Sequence, residues 1–254
     1  MDIICLKLSA TNCYLLKIEN GYLLVDTGYE SDLTVFKQEL HKNSINIKDI
    51  NYLFLTHHHN DHSGLVNFLV ENNNNIRIIM HKYASEALKT GKNVDLLRNE
   101  KRGVPNKRVR FLMIIRKKLK TSWTSTFPVY KTRDTDIIVD GDNTSILKKL
   151  GMDGKIVYTP GHTKGDISLV LDDGSCFCGD SVMNHPIVNI LGAKYMTIGI
   201  ENLDEYYNSW NKLLFNGSTT IYPAHGKPFN AKKLKRNIGK IKTLIPTPDI
   251  MIKS

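Results

Sequence analysis

Residues 56–62 read Thr56-His57-His58-His59-Asn60-Asp61-His62 and contain the spacing H-x-H-x-D-H. Imidazole nitrogens and carboxylate oxygens are the side-chain atoms that bind zinc and related divalent cations. The alternative interpretation is a surface cluster of histidines without a metal ion, which random composition rarely produces at this spacing. The stretch therefore predicts a metal site made from His57, His59, Asp61 and His62.

The neighbouring residues predict where this stretch lies in the fold. Residues 50–55 form a short apolar run that is typical of a buried strand. Ser63 can cap a helix over residues 64–70, so we expect the stretch to be a strand-to-helix loop.

The spacing also predicts how the ligands divide. Because alternate residues of an extended loop point to the same side, His57 and His59 can share one metal ion while His58 points away. Asp61 and His62 follow the bend and point elsewhere, which suits a second ion.

Composition limits the class of protein. The 254 residues suit one large domain or two small ones, and 41% hydrophobic with 24% charged residues is typical of a soluble globular protein. No apolar run is long enough for a membrane span, and the first residues lack the basic region and cleavage site of a signal peptide. The four cysteines lie in strand-like stretches, so we expect reduced, buried thiols and a cytoplasmic location.

The order of predicted elements indicates a layered fold. Two hairpins are predicted over residues 13–25 and 167–178, the first with an Asn20-Gly21 turn, and helices are predicted over 31–41, 81–90 and 202–215. Strands, intervening helices and polar loops after strands favour a two-sheet core covered by helices, of the α+β or α/β class.

Three later loops each follow a predicted strand and end in a metal-ligand side chain. They are Thr159-Pro160-Gly161-His162, Cys178-Gly179-Asp180 and Pro223-Ala224-His225. One histidine after a Pro-Gly turn is more often a solvated loop residue. Together with the first stretch, however, the loops supply five histidines and two aspartates at the ends of strands, and this set predicts a metal centre.

On these residues the chain resembles the metallo-β-lactamase superfamily. The matching residues are His57, His59, Asp61 and His62, then His162, Asp180 and His225, with Asp26-Thr27-Gly28 as the early turn. The resemblance implies an α+β fold, a four-layer αβ/βα sandwich formed by residues 1–254 as a single domain, with the metals at one edge.

The resemblance also implies a ligand set. It assigns His57, His59 and His162 to the first metal site and Asp61, His62 and His225 to the second, with Asp180 as the bridge. Lys164 and Asp166 depart from the residues that commonly follow the third histidine, which bears on substrate choice more than on metal binding.

The chemistry of such a site is hydrolytic. Two cations a few ångströms apart lower the pKa of a shared water and supply hydroxide, which attacks a carbonyl carbon or phosphorus. Asp61 is the expected catalytic residue, because it can orient the hydroxide and accept its proton. The ligands suit two zinc ions and are compatible with manganese or iron. Asp26 is either a carboxylate that orients a ligand histidine or a turn cap.

Three functions are considered. The first is a metal-dependent hydrolase of a small ester, thioester or lactone, and the second is a phosphodiesterase or nuclease of the same fold acting on an anionic substrate. The third is an electron-transfer or oxygen-binding protein, which we rank last because no flavodoxin-like extension follows. A small-molecule substrate is expected, and no obligate protein partner is indicated.

The net charge of +10 is concentrated in one segment. We expect an inserted lid at about residues 92–132, since its residues 98–120 include ten basic side chains and one acidic one. The apolar run 111–115 lies within it. Such a segment can be an ordinary helix with a solvated basic side, a lid over an anionic substrate, or a contact to a membrane surface or nucleic acid.

Overall fold

The computed structural model of the chain describes residues 2–91, 102–118 and 127–247. The strands in chain order are β1 Ile3–Lys7, β2 Asn12–Ile18, β3 Gly21–Val25, β4 Ile50–Phe54, β5 Arg77–His81, β6 Gly103–Val104, β7 Ile137–Val139, β8 Gly154–Tyr158, β9 Ile167–Leu171, β10 Ser175–Phe177, β11 Thr220–Tyr222, β12 Phe229–Asn230 and β13 Ile245–Pro246. The helices are α1 Leu33–Lys42, α2 Asn60–Ser63, α3 Val66–Asn72, α4 Lys82–Thr90, α5 Lys107–Lys118, α6 Ser145–Lys149, α7 Pro186–Ile190, α8 Leu203–Phe215 and α9 Lys232–Lys235.

The strands form two main sheets. The first has the order β1-β2-β3-β4-β5-β7, antiparallel up to β3 and parallel from β3 to β7. The second has the order β12-β11-β10-β9-β8, in which β10 and β11 are parallel and the other neighbours antiparallel. The short strands β6 and β13 pair with each other.

Alternating side chains of the strands divide between separate cores. On β2, Leu16 contacts the core between the two sheets, whereas Leu15 belongs to the core shared with α1, α3 and α4. Side chains of a strand alternate between faces, so one strand can serve both cores. On the second sheet, Leu169 joins the inter-sheet core and Val170 packs with α8. The result is the expected four-layer α+β sandwich, helices outside and sheets inside.

Helix α8 shows how a sequence pattern becomes packing. The side chain of Asn202 accepts hydrogen bonds from the backbone N–H groups of Asp204 and Glu205, which caps the predicted helix one residue before it begins. Tyr206 and Trp210, four residues apart, are fully buried against the second sheet. The Trp210 Nε1–H donates to the carbonyl of Ser181 at 2.7 Å, which joins the helix to the loop after β10.

The helix predicted over 64–70 is found as α3, which begins at Val66, and a separate short helix, α2, precedes it at Asn60–Ser63. Ser63 is not its cap: the Ser63 hydroxyl donates to the carbonyl oxygens of His58 and His59. The backbone breaks between the two helices where Gly64 N–H donates to the Gly28 carbonyl at 2.9 Å. A side chain at Gly64 would collide with the backbone of the 29–30 segment, so this close approach requires glycine.

The described part of the basic segment has defined structure. Residues 92–101 and 119–126 of the expected lid lie outside the described residues, so its role as a lid remains a prediction. Helix α5 occupies its centre, and residues 127–130 run beside α4, where Tyr130 N–H donates to the Leu88 carbonyl at 2.9 Å. Among the residues that the structure describes, no helix combines the length and apolar character that a bilayer span needs.

His81 ends β5 and caps α4. Its ring is buried and stacks on the ring of Tyr158, with centroids 4.6 Å apart, and its Nδ1 accepts a hydrogen bond from the Tyr83 N–H at 3.3 Å. Burial lowers the pKa of His81 from 6.5 to about 4. The folded state therefore keeps this imidazole neutral at a pH where the unfolded chain protonates it.

We expect His81 to make the protein sensitive to acid. The unfolded chain binds a proton at His81 as pH falls through 6.5, and the folded chain binds it only near pH 4, so stability is lost across that window. His81→Asn keeps an acceptor for the Tyr83 N–H and cannot titrate there. In thermal melts with a chelator present, the melting temperature of the variant should fall a few degrees less between pH 7 and pH 4 than that of the unaltered chain. Parallel curves would contradict the assignment.

Candidate metal centre

The residues predicted as ligands meet at one edge of the sandwich. The loop after β4 carries His57, His59, Asp61 and His62, and the loops after β8, β10 and β11 carry His162, Asp180 and His225. All seven side chains are buried except that of Asp61, which is half-buried. The fold thus brings together residues that are separated by up to 168 positions in the chain.

Three histidines form the first group. His59 Nδ1 lies 2.9 Å from His57 Nε2 and 3.0 Å from His162 Nε2. The three nitrogens converge on one small volume, as the ligands of a tetrahedral cation do.

An aspartate and two histidines form the second group. His225 Nε2 lies 3.2 Å from Asp61 Oδ2, and His62 Nε2 lies 3.7 Å from the same oxygen. These three atoms also lie close enough together to hold one ion.

Asp180 lies between the groups. Its Oδ1 is 3.2 Å from His225 Nε2 and 3.7 Å from His62 Nε2, and its Oδ2 is 3.6 Å from His162 Nε2. The Thr197 hydroxyl donates to Oδ2 at 3.1 Å and fixes the carboxylate in this orientation. One oxygen therefore faces each group.

Two buried atoms indicate that the site fits cations. His62 Nε2 and Asp180 Oδ1 are buried and have no hydrogen-bond partner within the described parts of the chain. Burying such atoms without a partner costs free energy, so proteins seldom leave them in that state. A divalent cation would bind both atoms, and the nitrogen and oxygen donors suit zinc, manganese or iron.

The outer nitrogens of three histidines are held by oxygen acceptors. This arrangement keeps the ring proton on Nδ1 and directs the Nε2 lone pair into the site. The pairs are His62 Nδ1 with Asp26 Oδ2, His162 Nδ1 with the Gly199 carbonyl and His225 Nδ1 with the Ala10 carbonyl, each at 2.8 Å.

Asp26 decides between the two interpretations of the early turn. It orients His62, and it also accepts hydrogen bonds from the Thr56 N–H and hydroxyl, each at 2.8 Å. Its backbone has φ of 59°, a left-handed conformation that non-glycine residues adopt rarely. This backbone conformation directs the carboxylate toward the histidine loop. Strained conformations of this kind are common at functional sites.

Further bonds hold the loop against the turn. Thr27 donates to the His62 carbonyl from its N–H at 2.8 Å and from its hydroxyl at 2.9 Å. Gly179 has φ of 50°, and a side chain there would collide with the Thr56 hydroxyl that bonds Asp26. The ligand loop and the Asp180 loop are therefore fixed relative to each other.

The two groups differ in charge. Burial lowers the pKa of His57 and His59, and it lowers that of His162 to about 4, so the first group is neutral. Burial also opposes protonation of His62 and His225, but the nearby carboxylates outweigh it and raise their pKa values to about 10 and about 9. In the absence of a cation, His62 and His225 therefore bind protons, and these protons neutralise the nearby carboxylates as a cation would.

Sequence reasoning did not single out Arg102 and Glu201. Arg102 Nη2 lies 2.9 Å from His59 Nε2 and 2.9 Å from Glu201 Oε1, and both side chains are buried. Neither residue belongs to a motif, so no sequence signal could have placed them at the site. His58 is not in a ligand group and its ring contacts that of Phe127, which agrees with the prediction that it points away from the site.

The profile of the metallo-β-lactamase superfamily matches residues 6–225. The chain belongs to the metallo-β-lactamase superfamily. Membership and the convergent ligand groups agree on a metal-binding protein of a superfamily of metallo-hydrolases.

Its superfamily relatives are distant. A lactamase-like protein from Pestalotiopsis microspora is 22% identical over 221 residues, covering 87% of this chain and 50% of that protein. A probable metallo-hydrolase from Methanocaldococcus jannaschii is 26% identical over 178 residues, 70% of each chain. An atrochrysone carboxyl ACP thioesterase from Aspergillus aculeatus is 23% identical over 222 residues, covering 86% of this chain and 51% of that protein. The chain thus spans about half the length of both fungal proteins.

Solved structures agree on the fold. A metallo-β-lactamase family protein from Thermus thermophilus superposes with a TM-score of 0.61 at 18% identity, covering 93% of this chain and 78% of that one. At this identity the likeness supports the metallo-β-lactamase fold alone.

We expect Asp26→Asn to weaken metal binding by the second group. Asp26 offers two acceptor oxygens to donors from Thr56 and His62, and asparagine replaces one of them with an N–H donor. Loss of such an outer contact lowers metal affinity by about 10- to 100-fold in comparable sites. Competition with a chromophoric chelator should resolve the change.

The matched control is Asp172→Asn, an exposed carboxylate between β9 and β10. It should leave both affinities unchanged. Equal metal affinities in Asp26→Asn and the unaltered protein would show that Asp26 serves the turn only.

Proposed function

We propose that the chain is a dinuclear metal-dependent hydrolase that cleaves a small ester, thioester or lactone. The observation that carries the proposal is the position of Asp180, whose two carboxylate oxygens face different ligand groups. A carboxylate so placed can bind two cations at once. Seven ligands also exceed the four that a single structural zinc takes.

The proposed ligand sets follow from the convergent atoms. His57 Nε2, His59 Nδ1 and His162 Nε2 would hold one divalent ion, and Asp61, His62 and His225 would hold the other, with Asp180 shared. When bound, two such ions act as Lewis acids and make hydroxide available at neutral pH. Zinc suits the mixed nitrogen and oxygen donors.

The residues of the chain have separate tasks in this proposal. Asp61 is the ligand candidate with the most solvent access, so its carboxylate can orient the attacking oxygen and accept its proton. Without a cation, burial raises the pKa of Asp61, but the protonated His62 and His225 outweigh this effect and keep that pKa below its usual value. When both imidazoles bind a cation, the cation would take over this role and keep the carboxylate ionised. Asp26 holds His62 in the tautomer that points Nε2 inward.

Two relatives support the choice of reaction. The archaeal relative is named a probable metallo-hydrolase and the Aspergillus relative a thioesterase, and both align over most of this chain. A carbonyl substrate would be attacked at carbon, and hydrolysis of a thioester would release a thiolate and a carboxylate.

A phosphodiesterase activity on an anionic substrate is the second candidate. It is favoured by the net charge of +10 and by Arg102, whose guanidinium lies beside the first ligand group. Arginine binds phosphate oxygens through paired N–H donors.

The proposal predicts two metal ions per chain. Elemental analysis of protein purified without chelator should give close to two equivalents. Asp180→Ala should reduce this number because both groups lose a shared ligand, whereas Asp172→Ala, at an exposed turn, should not. One equivalent that does not increase on adding zinc would exclude the dinuclear site.

The reaction is tested with purified protein and a panel of thioester, ester, lactone, phosphodiester and β-lactam substrates. We expect turnover of a carbonyl substrate, and we expect Asp61→Asn to lower kcat by several orders of magnitude while the first ligand group stays filled. Wild-type turnover in Asp61→Asn would show that the proton acceptor is another group. Turnover of the phosphodiester alone would favour the second candidate.

A further inference from the structure

The outer layer of the second sheet has an unusual distribution of charge. Three segments contain helices of this layer together with short strands, residues 102–118, 182–200 and 206–247, and none of them contains an aspartate or a glutamate. Together they carry sixteen lysines and arginines: seven, one and eight, respectively. The acidic residues between the second and third segments are Glu201, which pairs with Arg102, and Asp204 and Glu205 at the start of α8.

Part of this layer exposes large apolar side chains. On α5, Phe111 and Ile115 are 63% and 39% exposed, whereas Val109 and Met113 of the same helix are buried in the core. Residues four apart lie on one side of a helix, so Phe111 and Ile115 form its outer side. Helix α7 likewise exposes Ile187 and Ile190, at 45% and 80%.

The two helices are neighbours. The Asn106 side chain, one residue before α5, donates to the Leu191 carbonyl just after α7 at 3.0 Å. The buried side chains Val109 and Met113 of α5 share a core with Val188 of α7. We name this region the α5–α7 face. It consists of Phe111, Ile115, Ile187 and Ile190 with the exposed cations Lys107, Arg108 and Lys194.

We propose that the α5–α7 face binds the surface of an anionic lipid bilayer. Lysine and arginine are attracted to lipid phosphates and carboxylates, and exposed aliphatic and phenyl side chains gain free energy on entering the acyl boundary. The complete lack of acidic residues in 102–118 and 182–200 supplies the charge complementarity. Cations alone could bind a soluble anion. Binding such an anion would not account for the exposed isoleucines, whereas insertion into a bilayer does.

The same composition argues against a nucleic acid as the occupant. Proteins that bind single strands stack bases on aromatic rings, and those that bind duplexes use polar side chains in the grooves. Three of the four apolar side chains of the face are isoleucines, which cannot stack.

The face lies beside the metal centre. The Asn184 N–H, two residues before α7, donates to the carbonyl of the ligand His225 at 2.8 Å, and β6, which leads into α5, begins directly after Arg102. Docking would therefore bring the site close to the lipid surface. The binding itself does not depend on the proposed hydrolysis.

Vesicle flotation with the full chain tests the proposal. We expect binding to phosphatidylcholine vesicles that contain phosphatidylglycerol and little binding to phosphatidylcholine alone. Binding should decrease from about 0.1 M to about 1 M salt, where the screening length falls from about 10 Å to about 3 Å.

Variants separate the apolar and the cationic contributions. Phe111→Ser and Ile190→Ser should each lower the partition coefficient roughly tenfold, since an inserted side chain is lost. Lys107→Gln and Arg108→Gln should each lower it about fivefold. Metal content and melting temperature should stay unchanged in all four variants, because the substituted side chains are exposed and none of them belongs to the metal centre.

The matched control is Phe215→Ser. Phe215 is the last residue of α8 and is 91% exposed. It lies near Thr219, whose N–H donates to the Gly174 carbonyl, and it is not part of the α5–α7 face. Its substitution should leave vesicle binding unchanged.

Three results would overturn the proposal. They are no binding to the anionic vesicles at low salt, equal losses in Phe215→Ser and Phe111→Ser, and binding that is the same with and without phosphatidylglycerol. A duplex oligonucleotide that competes with the vesicles and loses affinity in Ile190→Ser would instead assign the face to a polyanion.

Discussion

The carboxylate of Asp26 is the group on which the rest of the site depends. It follows β3 in a left-handed conformation and accepts hydrogen bonds from Thr56, after β4, and from His62, in α2. The turn after β3, the start of the histidine loop and α2 are thereby held together by one buried carboxylate. Because that charge is buried, each of its donors must stay in place, and the position of the histidine loop follows from the position of the turn.

The second sheet completes the site under a different constraint. Asp180 and His162 come from loops after its strands, and the inter-sheet core fixes how these strands face β4. Two carboxylates close to His62 and His225 raise their pKa values, whereas the first group consists of neutral imidazoles. Protons and metal ions therefore compete mainly at the second group, so the fold makes its two halves chemically unequal.

The division into layers also explains why charge is distributed unevenly over the surface. The helices on the first sheet carry mixed charges, whereas the layer on the second sheet combines exposed cations such as Lys107, Arg108 and Lys194 with exposed apolar side chains on α5 and α7. A layered fold permits such a surface, because side chains on the outer side of a helix layer do not pack into any of the hydrophobic cores. Such a surface can acquire a role without disturbing the buried ligands.

The sequence by itself determined the layered class and the seven candidate ligands, because strand periodicity and ligand spacing are local patterns. The family was indicated by the resemblance that those ligand motifs carry. The sequence could not determine the break at Gly64, which depends on contact with Gly28, or the participation of Arg102 and Glu201, which belong to no motif. It left Asp26 undecided between a turn cap and an orienting carboxylate. Only the tertiary structure decided these points, since each rests on atoms that are distant in the chain and meet when the two sheets pack together.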